Sequence, residues 1–304
     1  MRNYVAAALS AILLAALPGA AFASGHGRVE EHLQMPSKIL SKAEEFSVYL
    51  PPDYDRSKRS YPIVYLMHGG EEGEDADWFR FGKIEVVLDD LIDRGVIPPV
   101  IAVSPDGRRN LENKNNTYYM NDADGQFRWE DMFVQEFVPY VESQYRAIGT
   151  KPTRSILGLS MGGYAALAYS MRHPELFKAA VAMSAAYRTD PQIVTMDQAG
   201  YDRRYGKAWG MGLKGQDRIN ADYRKYSVLD MVDDLPAANV KATDFYIDCG
   251  SDDKFFDGNV LLHEKLRDMG VKHRFMVREG SHEWNYWRSG VRNGLIFIGA
   301  EIQK

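Results

Sequence analysis

The stretch ILGLSMGGYAAL, Ile156 to Leu167, joins a short apolar run to a helix-forming run through a serine held between glycines. Ser155–Leu159 reads as a buried strand and Tyr164–Arg172 (YAALAYSMR) as a helix, so Ser160 falls on the turn between them. A turn that sharp forces its central residue into a strained backbone conformation that the surroundings must over-determine. Gly158 and Gly162 follow from the same geometry, because side chains two residues either side of the turn would collide as strand and helix close up. The Ser160 hydroxyl is left at the carboxyl edge of the sheet, where open α/β sheets keep their sites.

The rest of the chain repeats that unit. Candidate strands are Phe46–Leu50 (FSVYL), Pro62–Met67 (PIVYLM), Val100–Val103 (VIAV), Ser155–Leu159 (SILGL), Ala179–Ser184 (AAVAMS), Thr243–Cys249 (TDFYIDC) and His273–Arg278 (HRFMVR). Several are continuous apolar runs, the mark of parallel strands covered on both faces. Between them, Phe133, Phe137, Val138 and Val141 form one helical stripe, and Val86, Val87, Leu88, Leu91 and Ile92 form another that stops at Gly95. Alternating β and α elements predict an α/β domain with a mostly parallel central sheet and helices on both faces. Residues 187–240 break this rhythm and read as a cap-like excursion between two strands, able to overhang a site or to lie on the surface as a plain insertion.

A serine hydroxyl is a weak nucleophile at neutral pH and needs a base within hydrogen-bond reach, itself oriented by a third group. His26 and His32 lie in a polar N-terminal segment and read as solvated. His173 ends the helix after the serine, His263 falls in a helical pattern, and His273 opens a strand. His282, in REGSHEWNYW, stands in the loop after the last strand, again at the carboxyl edge of the sheet, and is the candidate base. The orienting acid belongs after a strand between serine and histidine, where TDFYIDCGSDDKFFDG offers Asp248, Asp252, Asp253 and Asp257. Asp248 sits within the strand and Asp257 reads as a helix N-cap, leaving the adjacent pair, with Asp253 preferred over Asp252.

The chain order Ser160, Asp253, His282 is that of the α/β-hydrolase fold. An oxyanion would be met by the Met161 N–H at the helix start and by a second N–H, assigned to Gly70, from the glycine loop of YLMHGG. His68 in that loop reads as a brace. The scheme calls for no metal and no cofactor.

Residues 1–23 read as a secretory leader: Arg2 supplies the positive end, Val5–Leu17 a short apolar core, and Ala21-Phe22-Ala23 a small-residue cleavage site. Residues 24–304 are then expected to form a single domain, periplasmic or secreted, with no stable membrane anchor. The chain carries 37 basic and 42 acidic residues, net −5, and losing Arg2 with the leader makes it −6. That balance argues against a nucleic-acid partner, which needs clustered Lys and Arg. Cys249, the single cysteine, cannot form an intramolecular disulfide, so the core must hold the fold.

The runs FSVYLPPDYD, YPIVYLMHGG, LIDRGVIPPVIAVSPDG, GLSMGGYAAL, DCGSDD and GSHEWNYW together resemble the esterase family that includes esterase D (S-formylglutathione hydrolase), bacterial feruloyl and acetylxylan esterases and the antigen 85 mycolyltransferases. The resemblance implies that Ser160 is the nucleophile, His282 the base and Asp253 the acid, with Gly70 and Met161 as oxyanion donors. It also implies that Trp78, Tyr118 and Tyr119 lie near the cleft, and Trp284 and Trp287 extend that aromatic wall. The activity it implies is hydrolysis of a small-molecule or polysaccharide ester, including acetyl or feruloyl esters of carbohydrates. Acyl transfer to an alcohol and a non-catalytic carbohydrate-binding role on the same scaffold are the competing expectations. The acidic run EEGEDAD after Gly70 reads as a solvated loop and makes a strongly anionic substrate less attractive.

Overall fold

The computed structural model describes residues 25–304, so the leader expected at residues 1–23 lies outside the described residues. Eight strands form one sheet: β1 Arg28–Ser37, β2 Lys42–Leu50, β3 Ile63–Met67, β4 Ile101–Pro105, β5 Arg154–Leu159, β6 Ala179–Met183, β7 Asp244–Gly250 and β8 His273–Arg278. Their spatial order is β1-β2-β4-β3-β5-β6-β7-β8. The pairs β1/β2 and β2/β4 are antiparallel, and every pairing from β4 onward through β3 to β8 is parallel.

Alternation along β3 divides the interior. Ile63, Tyr65 and Met67 join a core with Phe133, Phe137, Ala165 and Leu262, which covers one face with the helices around residues 129–144, Met161–Arg172 and Phe256–Asp268. Val64 and Leu66 point the other way, into a second core with Leu88, Leu91, Val291 and Leu295 from helices Ile84–Asp93 and Trp284–Ile302. Two apolar faces explain why these strands read as unbroken hydrophobic runs.

The two expected helical stripes differ in detail. Phe133, Phe137, Val138 and Val141 are all buried, but the helix is not regular: a π-turn at Phe133–Phe137 precedes Pro139, which has no N–H to give to a helical ladder. In Ile84–Asp93, Leu88, Leu91 and Ile92 are buried, whereas Val86 points to solvent, 59% exposed. Gly95 ends that helix at φ 65°, donating to the Ile92 carbonyl.

β1 is the strand that sequence patterning missed. It is an edge strand whose residues are mostly exposed, and its register shifts between Glu30 and Leu33, so RVEEHLQMPS reads as polar coil. His32 sits in that bulge at φ 56°, with Nδ1 3.2 Å from Asp75, and is therefore not simply solvated. The excursion after β6 consists of helices of seven residues or fewer, such as Lys207–Trp209 and Ala221–Tyr226, wrapped on buried Tyr201, Tyr205, Trp209, Tyr223 and Tyr226. Among the described residues, no helix is long and apolar enough to cross a membrane.

Candidate active site

The end of β5 sets the geometry. Ser160 has φ 54° and ψ −118° and immediately precedes helix Met161–Arg172. Three backbone hydrogen bonds hold it there: its N–H donates to the Met183 carbonyl at 2.9 Å, and its own carbonyl accepts from Tyr164 at 3.0 Å and Ala186 at 2.9 Å. A Cβ on Gly162 would lie 2.0 Å from the Met67 carbonyl oxygen, so the helix start can pass β3 only as bare backbone.

From this turn a chain of hydrogen bonds runs inward. Ser160 Oγ lies 2.8 Å from His282 Nε2, and His282 Nδ1 lies 2.9 Å from Asp253 Oδ2. With Asp253 ionised, Nδ1 carries the ring proton and Nε2 is free to accept from the serine. Burial by itself would raise the Asp253 carboxyl; His282 and the Phe255 N–H, which donates to Oδ1 at 2.9 Å, outweigh it and hold the pKa below the usual range. Asp252, next along the chain, points to solvent. The His282 ring is fixed between the edges of Phe255 and Trp287, with centroids 5.1 and 5.0 Å away.

The other aspartates of that segment have structural tasks. Asp248 is fully buried under Arg278 and Tyr286. Asp257 is not the expected N-cap: helix Phe256–Asp268 starts two residues earlier than that would require, with Phe255 at the N-cap, and Asp257 lies in its first turn, where a carboxylate suits the helix dipole. His173 caps helix Met161–Arg172 and contacts buried Glu130 through Nε2 at 2.8 Å.

Ser160 and His282 open onto a cavity of about 490 Å³ that is also lined by Gly70 and Met161. Neither the Gly70 nor the Met161 N–H donates to an acceptor among the described residues. His68 braces the glycine loop from behind: it is fully buried, its Nδ1 lies 2.6 Å from the Gly69 carbonyl, and its Nε2 accepts from the Gly107 N–H at 2.7 Å.

Of the five aromatics expected near the cleft, Tyr118, Trp284 and Trp287 line the cavity. Trp78 and Tyr119 do not. Both are fully buried behind the wall, Trp78 donating to the Met67 carbonyl and Tyr119 to the His68 carbonyl, so they fix the loop that carries Gly70. Alongside the acidic Glu71, Glu72 and Asp77 that follow the glycine loop, the excursion reaches the same cavity through Arg188 and Arg204, and Asn116, Lys254 and Phe255 also line it. None of these carried a sequence signal: their spacing matches no helical or strand face and no motif.

The acidic run beside Gly70 is partly neutralised, and its Glu71, Glu72 and Asp77 line the cavity. Glu71 pairs with Arg203 and Arg204, Glu74 with Arg80 and Arg108, and Asp75 accepts from Ser47 at 2.5 Å, while Glu72 stays exposed. One grouping with metal-ligand chemistry, His32, Glu45 and Asp75, lies within 4.8 Å, but it is outside the cavity lining, and Arg80 already sits on His32 Nε2.

Known proteins share this fold. A ferulic acid esterase structure superposes with a TM-score of 0.76 at 28% identity, covering 91% of this chain and 99% of that one. An S-formylglutathione hydrolase from Agrobacterium tumefaciens superposes at 0.69 and 19% identity, covering 93% and 97%. An esterase of Mycobacterium tuberculosis is 28% identical over 253 residues, 78% of this chain, and the chain spans 52% of that relative's length. An acetyl esterase of Caldicellulosiruptor saccharolyticus is 24% identical over 282 residues, 86% of this chain and 95% of that one. The architecture is thus the α/β-hydrolase fold, and because the family described as "Putative esterase" matches residues 37–298, the chain belongs to that esterase family.

Proposed function

We propose that the chain is a serine carboxylic-ester hydrolase working through an acyl-enzyme on Ser160. The observation that carries this reading is the continuous relay from Ser160 to His282 to Asp253, at 2.8 and 2.9 Å, opening onto a cavity beside two unengaged backbone amides.

Ser160 Oγ attacks the ester carbonyl carbon while its proton passes to His282 Nε2. The carbonyl oxygen becomes an oxyanion, met by the N–H groups of Gly70 and Met161. Collapse expels the alcohol, which leaves with the proton returned by His282, and the acyl group stays on Ser160. Water then gives a proton to His282, attacks the acyl carbonyl and releases the acid as Oγ recovers its proton. Asp253 holds the imidazole in one tautomer and steadies its positive charge throughout.

Relatives named as an endo-1,4-beta-xylanase/feruloyl esterase of Xylanibacter ruminicola and an acetyl esterase of Caldicellulosiruptor saccharolyticus support acetyl and hydroxycinnamoyl esters of carbohydrates as substrates. Tyr118, Trp284 and Trp287 give such a substrate flat apolar faces in the cavity. Export through residues 1–23 suits polysaccharide esters.

The test is Ser160→Ala. The variant is expected to fold as the parent does, to lose about 10⁴-fold or more in kcat/KM on 4-nitrophenyl acetate, and to escape labelling by a fluorophosphonate. Retained activity in a folded variant overturns the mechanism.

A further inference from the structure

Among the described residues, the interior arginines are matched by carboxylates or carbonyls with one exception. Arg108 forks onto Asp106, Arg154 onto Glu142, Arg172 onto Glu130 and Arg278 onto Asp248. Arg218, which has no carboxylate, is spent on the carbonyls of Leu213, Ile193 and Met196.

Arg188 stands apart. It lines the cavity with Ser160 and His282, it is half-buried, and among the described residues its partners are phenols and no carboxylate: Tyr205 Oη at 2.5 Å, with the Tyr118 hydroxyl beside it. Its guanidinium lies 4.7 Å over the Phe255 ring, and that ring packs directly against His282 at 5.1 Å. A guanidinium has five N–H donors, so most of this one's hydrogen-bonding capacity is unused by the protein. Withdrawing a cation from water without a counter-charge is costly, and a fold keeps one where a ligand supplies the anion.

Two neighbours strengthen the pattern. Lys254 also lines the cavity, sits 5.4 Å over the same Phe255 ring and has no carboxylate partner among the described residues, whereas Arg204 is tied to Glu71. Asn116 lines the cavity beside Gly70, 4% exposed, with Oδ1 lacking a hydrogen bond. Of the acidic run after Gly70, Glu71, Glu72 and Asp77 also line the cavity; Glu71 is tied to Arg203 and Arg204 and burial raises the Asp77 pKa, which leaves exposed Glu72 against the two cations Arg188 and Lys254.

We infer, building on the ester-hydrolase reading, that Arg188 is a specificity-determining residue that binds a carboxylate carried by the substrate, so that the preferred esters are anionic. The carboxylate belongs either to the acyl part or to the alcohol part, and Arg188 recognises the same chemistry in both.

The experiment compares matched esters with the full enzyme. For the acyl side the pair is 4-nitrophenyl hydrogen glutarate and 4-nitrophenyl pentanoate; for the alcohol side it is 4-acetoxybenzoate and its methyl amide. Wild-type enzyme is expected to favour the anionic member of at least one pair in kcat/KM. Arg188→Gln should lower that anionic-to-neutral ratio about ten- to a hundredfold, the usual worth of a charge-assisted hydrogen bond, and Arg188→Lys should restore part of it. A purely structural role for Arg188 would lower both members together and leave the ratio alone. A wild-type preference for the neutral member of both pairs, or a ratio unmoved in both variants, overturns the inference and leaves the hydrolase reading standing. Wild-type enzyme that cleaves none of the four esters, and not 4-nitrophenyl acetate either, overturns the hydrolase reading itself.

Discussion

The α-carbon of Gly158, two residues before Ser160, faces the carbonyl of Gly162, two residues after it, so closely that a Cβ at 158 would lie 2.1 Å from the oxygen. The contact is backbone against β5 and the first turn of the following helix, and neither can yield without moving the serine between them.

Gly158→Ala is accordingly expected to cost about 1–3 kcal/mol, the range for forcing volume into a closed site. Activity should fall further than stability, because any shift that admits the methyl group also rotates Ser160 away from His282. Calorimetry and ester hydrolysis on the same sample check this. A variant with unchanged melting temperature and kcat would show that the close approach is not needed.

The adjacent aspartates separate cleanly. Asp253→Asn keeps the shape of the acid but offers His282 Nδ1 an amide in place of a carboxylate, so the wrong tautomer is populated and kcat should drop about 10⁴-fold. Asp252, exposed and outside the relay, should tolerate the same change within about twofold. Equal losses in the two variants would sink the assignment of Asp253 as the acid.

What the sequence could reveal depended on how much physics each residue carries alone. Ser160 was legible because a sharp turn from a buried strand into a helix needs glycines around it, and His282 because it is the histidine that follows the last strand at the carboxyl edge of the sheet. Asp253 required the further knowledge of where β7 ends. β1 was illegible because an edge strand with a bulge and an exposed face has no hydrophobic period. Trp78 and Tyr119 stood where cleft aromatics belong, yet both are buried behind the loop they support, and sequence does not distinguish the front of a wall from its back. Arg188 lies in an excursion whose helices are too short to show a stripe, and its meaning comes from the counter-charge it lacks, which only three dimensions display.

Glu44 predicts a pH dependence of stability. On β2 it is fully buried, and although Lys42 Nζ lies 3.0 Å away, neither carboxyl oxygen has a hydrogen-bond partner among the described residues. Burial outweighs the attraction of Lys42 and pushes the pKa up to about 8. Because the folded value exceeds the unfolded one, the folded state holds an extra proton between about pH 4.5 and pH 8. Stability contributed by this group is therefore complete at the acid end and falls by about 1.4 kcal/mol per pH unit as pH rises through the window. Glu44→Gln should remove that slope in guanidinium titrations run at several pH values. Parallel pH profiles for parent and variant would contradict the burial argument.

His263 and His273 predict a dependence of the opposite sign. His273 Nδ1 lies 2.8 Å from the Val271 carbonyl and so carries that ring's proton, which leaves Nε2 as the acceptor for His263 Nδ1 at 2.7 Å. The His263 ring also stacks on Phe275 at 4.6 Å. Burial, the charge His273 can acquire and Arg267 all lower the His263 pKa, with Glu264 opposing them. A histidine whose folded pKa is depressed favours the neutral form, so stability is intact above the unfolded value near 6.5 and declines as pH falls through it. Acid opens the pair because a doubly protonated couple would point two N–H groups at one another, loosening helix Phe256–Asp268 from β8. His263→Gln keeps a donor for His273 Nε2 without the second titrating ring. Its melting temperature should fall less than the parent's between about pH 7.5 and pH 5.5, and an equal fall in both proteins would show that the pair does not sense acid.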